Sequence, residues 1–118
     1  MYKIEIISLE NCPFSEAAES LANSINPTII KIEDNSNKKL QYKNFYPTFP
    51  QIYMINKKNR YLLGGYTEFK KINDLIMNGS ENLDDIIDEL RFLKLSRKNK
   101  LRLINLFLVN IKWHYHFL

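Results

Sequence analysis

The chain has 118 residues, 45% of them hydrophobic, with 17 Lys+Arg against 13 Asp+Glu and a net charge of +4 at pH 7. That length suits one domain around a single core, and the composition excludes wholesale disorder and collagen-like repetition. One cysteine excludes an intramolecular disulfide and a Cys-rich zinc cage, and with both histidines near the C-terminus (His114 and His116) no metal site is expected.

The opening stretch, Met1 to Glu10, has no basic region followed by a long apolar run, so it reads as a strand and not as a secretion signal. No run of about 18 uninterrupted apolar residues occurs, so no membrane-crossing helix is expected. The expected compartment is the cytoplasm, where a lone thiol stays reduced. Charge is unevenly placed: residues 94–118 carry Lys94, Arg97, Lys98, Lys100, Arg102 and Lys112 and no acid, while the first 93 residues hold all the acids and are weakly negative. That shift predicts a body over 1–94 and a basic, apolar extension over 95–118.

In chain order, Tyr2 to Ile7 alternates and is rich in β-branched residues, which predicts a strand. Asn11-Cys12-Pro13 opens a helix, with Asn11 as a capping residue and proline in the first turn. Phe14, Ala17, Ala18, Leu21, Ala22 and Ile25 recur at helical spacing and predict its buried face. Asn26-Pro27 ends it, and Thr28 to Ile32 follows as a strand, completing a parallel crossover unit. Asp34 to Asn37 is a turn before a polar helix that packs through Leu40, Tyr42 and Phe45. Pro50 to Ile55 and Arg60 to Leu63 form a hairpin around the turn Asn56 to Asn59. Thr67 is expected to cap a helix reaching Met77. A second helix, about Leu83 to Lys94, has Ile86, Ile87, Leu90 and Leu93 on one face.

Chemistry concentrates at three places. Cys12 lies at a strand-to-helix junction, where unsatisfied backbone N–H groups and the helix dipole favour the thiolate, the nucleophile of disulfide exchange. Thr48-Phe49-Pro50 starts a strand with proline and is a candidate cis bond, since X–Pro bonds adopt cis most cheaply. Such a bond would turn Phe49 backbone groups outward to pair with an extended peptide. Leu63-Gly64-Gly65-Tyr66-Thr67 combines close backbone approach with a helix N-terminus that offers donors to a carboxylate.

Taken together, Cys12-Pro13-Phe14-Ser15, Thr48-Phe49-Pro50 and Gly64-Gly65-Tyr66-Thr67, in this order between alternating strands and helices, resemble the glutaredoxins of the thioredoxin-fold superfamily, in a monothiol Cys-Pro-Phe-Ser variant. The resemblance spans roughly residues 2–93. It implies an α/β, thioredoxin-like fold: a four-stranded mixed sheet flanked by helices, here with a basic, apolar C-terminal helical tail. It implies Cys12 as the nucleophile, with Pro13, Phe14 and Ser15 completing the catalytic motif. It further implies glutathione as cosubstrate, lying against Thr48, Phe49, Pro50, Gly64, Gly65, Tyr66 and Thr67. This chain departs from the family's pattern at Leu9, where lysine is frequent, at Tyr46 and Pro47, where a basic or amide group is usual, and at Thr67, where aspartate is common.

Ser15 stands where dithiol members have their second cysteine, so only a monothiol cycle is open. The activity expected is reduction of glutathione mixed disulfides through a Cys12–glutathione adduct, with glutathionylated or disulfide-containing proteins as partners. Two alternatives come with the resemblance: a carrier of a glutathione-ligated [2Fe–2S] cluster, and a redox-inactive interaction module. For the tail, where Leu101 to Val109 is apolar and Trp113, Tyr115 and Phe117 add aromatics, packing or self-association ranks first and peripheral membrane contact second. Nucleic acid is not an expected partner, because the basic residues form one short run on an acidic body.

Overall fold

The computed structural model describes residues 1–116, with side chains as far as Val109. Four strands, β1 (Lys3–Leu9), β2 (Thr28–Ile32), β3 (Gln51–Ile55) and β4 (Arg60–Gly64), form one sheet in the order β2-β1-β3-β4. β1 pairs parallel with β2 and antiparallel with β3, and β3 pairs antiparallel with β4. Five α-helices accompany them among the described residues: α1 (Pro13–Leu21), α2 (Asn37–Lys43), α3 (Tyr66–Asn78), α4 (Leu83–Glu89) and α5 (Arg97–His116). The expected four-stranded mixed sheet with flanking helices is what forms.

The two-residue period of the strands sorts their side chains onto two faces. Ile4, Ile6, Ile52, Met54 and Leu63 enter the main core with Ala18, Ala22, Phe69, Ile72, Ile86, Ile87 and Leu90 from the helices. Ile7, Ile32, Phe49 and Tyr53 form a smaller cluster on the opposite face, beside Tyr42. A pair of bonds orients α1 on the sheet. Buried Ser8 donates its hydroxyl to Glu19 Oε2 at 2.6 Å, and Lys31 of β2 lies 3.6 Å from Oε1 of the same carboxylate.

Several helix ends differ from expectation. α1 stops at Leu21 and tightens into a 3₁₀ turn over Asn23–Ile25, released by Asn26 at φ 52°, a left-handed angle that asparagine tolerates. α4 stops at Glu89 and continues as a 3₁₀ turn, Leu90–Phe92, which still delivers Leu90 and Leu93 to the core. Ser36 caps α2 by accepting the Lys38 N–H at 3.1 Å, but α2 buries no residue, and Leu40 and Phe45 are 68% and 72% exposed. The polar helix therefore packs chiefly through Tyr42.

The extension contributes to the same core as the body. Leu103, Ile104, Leu106 and Phe107 are buried in the main cluster, with the Phe107 ring 6.1 Å from that of Phe69. Leu108 and Val109 face outward, 40% and 43% exposed. The side chains of His114, His116, Trp113, Tyr115 and Phe117 lie outside the described residues. No helix among the described residues is long and apolar enough to cross a membrane. Because Phe107 fills a closed core position, Phe107→Ala is expected to cost about 3–5 kcal/mol in urea denaturation. Leu108→Ala, one residue away, should stay within about 0.5 kcal/mol.

Candidate active site at the mouth of the first helix

Pro13 fixes where α1 begins. A residue before proline is driven to extended backbone, the conformation an N-cap adopts. Cys12, at φ −109° and ψ 115°, is therefore the N-cap, and Pro13 occupies the first helical position. Asn11, expected as the cap, instead turns the chain out of β1 at φ 58°. The first α1 bond runs from Glu16 N–H to the Cys12 carbonyl at 3.0 Å. The Phe14 and Ser15 amides consequently have no acceptor within the helix, and Cys12 gives them no side-chain cap. The cysteine is free and partly exposed.

Ser15 is fully buried, and its hydroxyl accepts the Leu9 N–H at 3.0 Å. It ties the helix mouth to the end of β1, and its hydrogen bond goes to the strand, not to the sulfur. Phe14, placed by its spacing on the buried face, is 62% exposed. At the second helical position its ring points over the rim, 6.1 Å from the Tyr66 ring at 44°.

The second wall is Thr48-Phe49-Pro50. The Phe49–Pro50 peptide is cis, as the sequence suggested. Phe49 and Pro50 are buried and Thr48 is exposed. The Cys12 thiol faces the Phe49 carbonyl at 4.0 Å. Beneath this segment lies Gln51, wholly buried. Its amide donates to the carbonyls of Tyr42 and Tyr46 at 2.8 and 2.9 Å, and its oxygen accepts the Tyr53 hydroxyl at 2.9 Å.

The third wall is the start of α3. Gly64 has φ +125°, and a Cβ there would lie 2.8 Å from the Glu68 side chain, so glycine is required by both angle and space. Gly65, not Thr67, is the N-cap. A Cβ on Gly65 would lie 3.5 Å from the Pro50 carbonyl, which shows how closely this wall approaches the second. Glu68 reaches back so that its Oε1 accepts the Gly65 N–H at 3.0 Å and the Tyr46 hydroxyl at 2.8 Å. The Gly65 N–H, chiefly, and the Tyr46 hydroxyl hold the Glu68 carboxyl below the usual glutamate range against an opposing burial effect. Burial first, then the bond to Glu68, raises the Tyr46 phenol above its ordinary value. The helix start that the sequence offers to an incoming carboxylate thus already holds one of its own at Gly65. The amides of Tyr66 and Thr67 are the ones left over.

The structure therefore brings the three predicted segments together: Cys12 against Phe49, Phe14 against Tyr66, and Gly65 against Pro50. Leu9 packs beside the smaller core cluster and places no cation near the sulfur. Glu68 escaped the sequence reading, which noted Tyr46 only as a departure from a basic or amide position. Glutamate three residues after the capping glycine is half of a capping box and was available as a signal. Tyr46 carried none, because its partner lies 22 residues away. Among the described residues, no group of three His, Cys, Asp or Glu side chains is placed to hold a metal ion.

This sheet order, with helices on both faces, defines a thioredoxin-like fold. The crystal structure of glutathione transferase Omega 2S from Trametes versicolor, in complex with 2,4-dihydroxybenzophenone, superposes with a TM-score of 0.52 at 15% identity, covering 86% of this chain. The chain spans 45% of that transferase's length. No protein-family model and no curated protein matches the sequence.

Since the Glu68 pKa is lowered in the folded chain, the stability it contributes is present above the unfolded value and is lost as pH falls through the folded one. Glu68→Gln should accordingly be less stable than the parent at pH 6. The gap in urea midpoint should narrow as pH drops below about 4.3, the ordinary glutamate value.

Proposed function

We propose that the chain is a glutathione-dependent thiol–disulfide oxidoreductase working by a monothiol cycle. The observation that carries this is the partly exposed Cys12, held at the helix N-cap with its thiol 4.0 Å from the Phe49 carbonyl, beside a Phe14 ring that meets Tyr66. The Phe14 and Ser15 amides, which have no acceptor in the helix, lie in the turn that Cys12 opens.

In the first step the Cys12 thiolate attacks the glutathione sulfur of a protein–glutathione mixed disulfide. That S–S bond breaks, the protein thiolate leaves with the electron pair, and Cys12 holds a glutathionyl group. In the second step a free glutathione thiolate attacks the glutathionyl sulfur of the adduct. Cys12 thiolate is released and oxidised glutathione forms. With no other cysteine in the chain, no internal disulfide can intervene.

Several features support glutathione as the tripeptide. The structural neighbour is named a glutathione transferase, and the three walls match the segments of the glutaredoxin resemblance. Outward backbone groups of Thr48 and Phe49 would pair with its cysteinyl unit. The Tyr66 and Thr67 amides would receive the γ-glutamyl carboxylate. No lysine stands at position 9 for the glycyl carboxylate, so a modest affinity accompanies this reading.

Exposure to oxidised glutathione followed by intact-protein mass spectrometry is expected to add one glutathionyl group, on Cys12, that dithiothreitol removes. Cys12→Ser should take up none and should lose all glutathione-dependent reduction of a glutathionylated peptide. A folded protein that stays unmodified, or that reduces the peptide without Cys12, contradicts the proposal.

A further inference from the structure

On the sheet face opposite the main core, α2 meets the smaller cluster through half-buried Tyr42 and buries none of its residues fully. Beside that contact is a cavity of about 340 Å³ lined by Tyr42, Phe45, Tyr53, Arg60 and Leu62. None of these residues belongs to the three walls of the Cys12 site.

The cavity has a fixed floor. Tyr53 is 5% exposed, and its hydroxyl is committed to Gln51. The Arg60 guanidinium lies over that ring, its central carbon 4.2 Å from the centroid, and its Nη2 is 2.8 Å from Glu5 Oε1. The Glu5 side chain is only 10% exposed, and Oε1 makes no aligned hydrogen bond despite that contact. The 2.8 Å contact is therefore electrostatic, without hydrogen-bond alignment, while the guanidinium also lies over the Tyr53 ring. Arg60 is thereby held over the ring while remaining 45% exposed, and its guanidinium carries five N–H donors.

The rim is unusual for a surface that meets only water. Phe45 is 72% exposed and Leu62 38%, both beside the two tyrosines. Aromatic and aliphatic walls with one oriented, charged donor are the common make-up of a small-molecule pocket, and this volume falls at the lower end of the ~300–1,000 Å³ range. We infer that this cavity binds a small planar aromatic carboxylate of one or two rings, the ring system held among Tyr42, Phe45 and Tyr53 and the carboxylate on the Arg60 fork. Arg60 then pairs with two carboxylates, the buried one of Glu5 through an unaligned electrostatic contact and that of the ligand in the planar two-pronged geometry a guanidinium favours.

The probe is 1-naphthoate, titrated into the full chain and followed by backbone amide NMR shifts. Saturable shifts confined to residues 42–45, 53 and 60–62 are expected. Phe45→Ser, at an exposed position that leaves the core intact, should weaken binding about tenfold. Removing Arg60 alone would strand the buried Glu5 charge, so Glu5→Gln and Arg60→Gln are combined. That double variant should lose about tenfold for 1-naphthoate and leave the uncharged 1-naphthalenemethanol unchanged. Absence of saturation, shifts centred elsewhere, or equal affinity in Phe45→Ser would overturn the inference. Shifts that follow protein concentration instead of ligand would also overturn it, by giving the face to a second copy of the chain.

Discussion

One buried amide organises most of what is distinctive in this molecule. Gln51 opens β3 with no solvent contact, and its three hydrogen bonds reach the Tyr42 carbonyl, the Tyr46 carbonyl and the Tyr53 hydroxyl. A buried primary amide is costly unless its donors and acceptor are paired, so these bonds act as one constraint. They pin the C-terminal end of α2 to the sheet, fix the loop that delivers Phe49 to the sulfur, and hold the floor of the aromatic cavity. The two regions of proposed chemistry, one touching Phe49 and the other Tyr53 of the same small cluster, thus share one internal strut.

The cleft beside Cys12 is built from local constraints that converge. Proline selects the cap, the cap leaves two amides unpaired, and Ser15 locks that arrangement to β1 through Leu9. Across the gap, a glycine at a left-handed angle lets Glu68 fold back under its own helix start. Tyr46 then fastens this carboxylate to the proline-bearing loop, so two walls are coupled by a single oxygen that accepts twice. Each wall is held for a reason that can be named, while the cysteine between them is partly exposed.

Legibility followed the range of the interaction. The strands could be read because alternation is intrinsic to the pleat, and Ile4, Ile6, Ile52 and Met54 sit where that period places them. The association of Cys12, Pro50 and the paired glycines was readable only as a constellation, each member being unspecific by itself. Helical spacing misassigned Phe14, because position in the first turn, not the period, decides what a side chain meets at a helix mouth. It misassigned Leu40 and Phe45 as well, since a helix with few apolar residues need not close on its sheet. Tyr46, Gln51 and Glu5 owe their roles to partners on other elements, and a single sequence carries no sign of such pairings.

The seating of α5 has a bearing on how the chain comes off the ribosome. Phe69 and its neighbours are covered by Leu103, Ile104 and Phe107, and Arg102 reaches back to the hydroxyl of Tyr2, 100 residues earlier. The sheet and first helices emerge during synthesis with one side of their interior uncapped. Native closure waits for a segment translated after them, and a nascent chain held before that point presents a sticky apolar floor of the kind that holdase chaperones recognise.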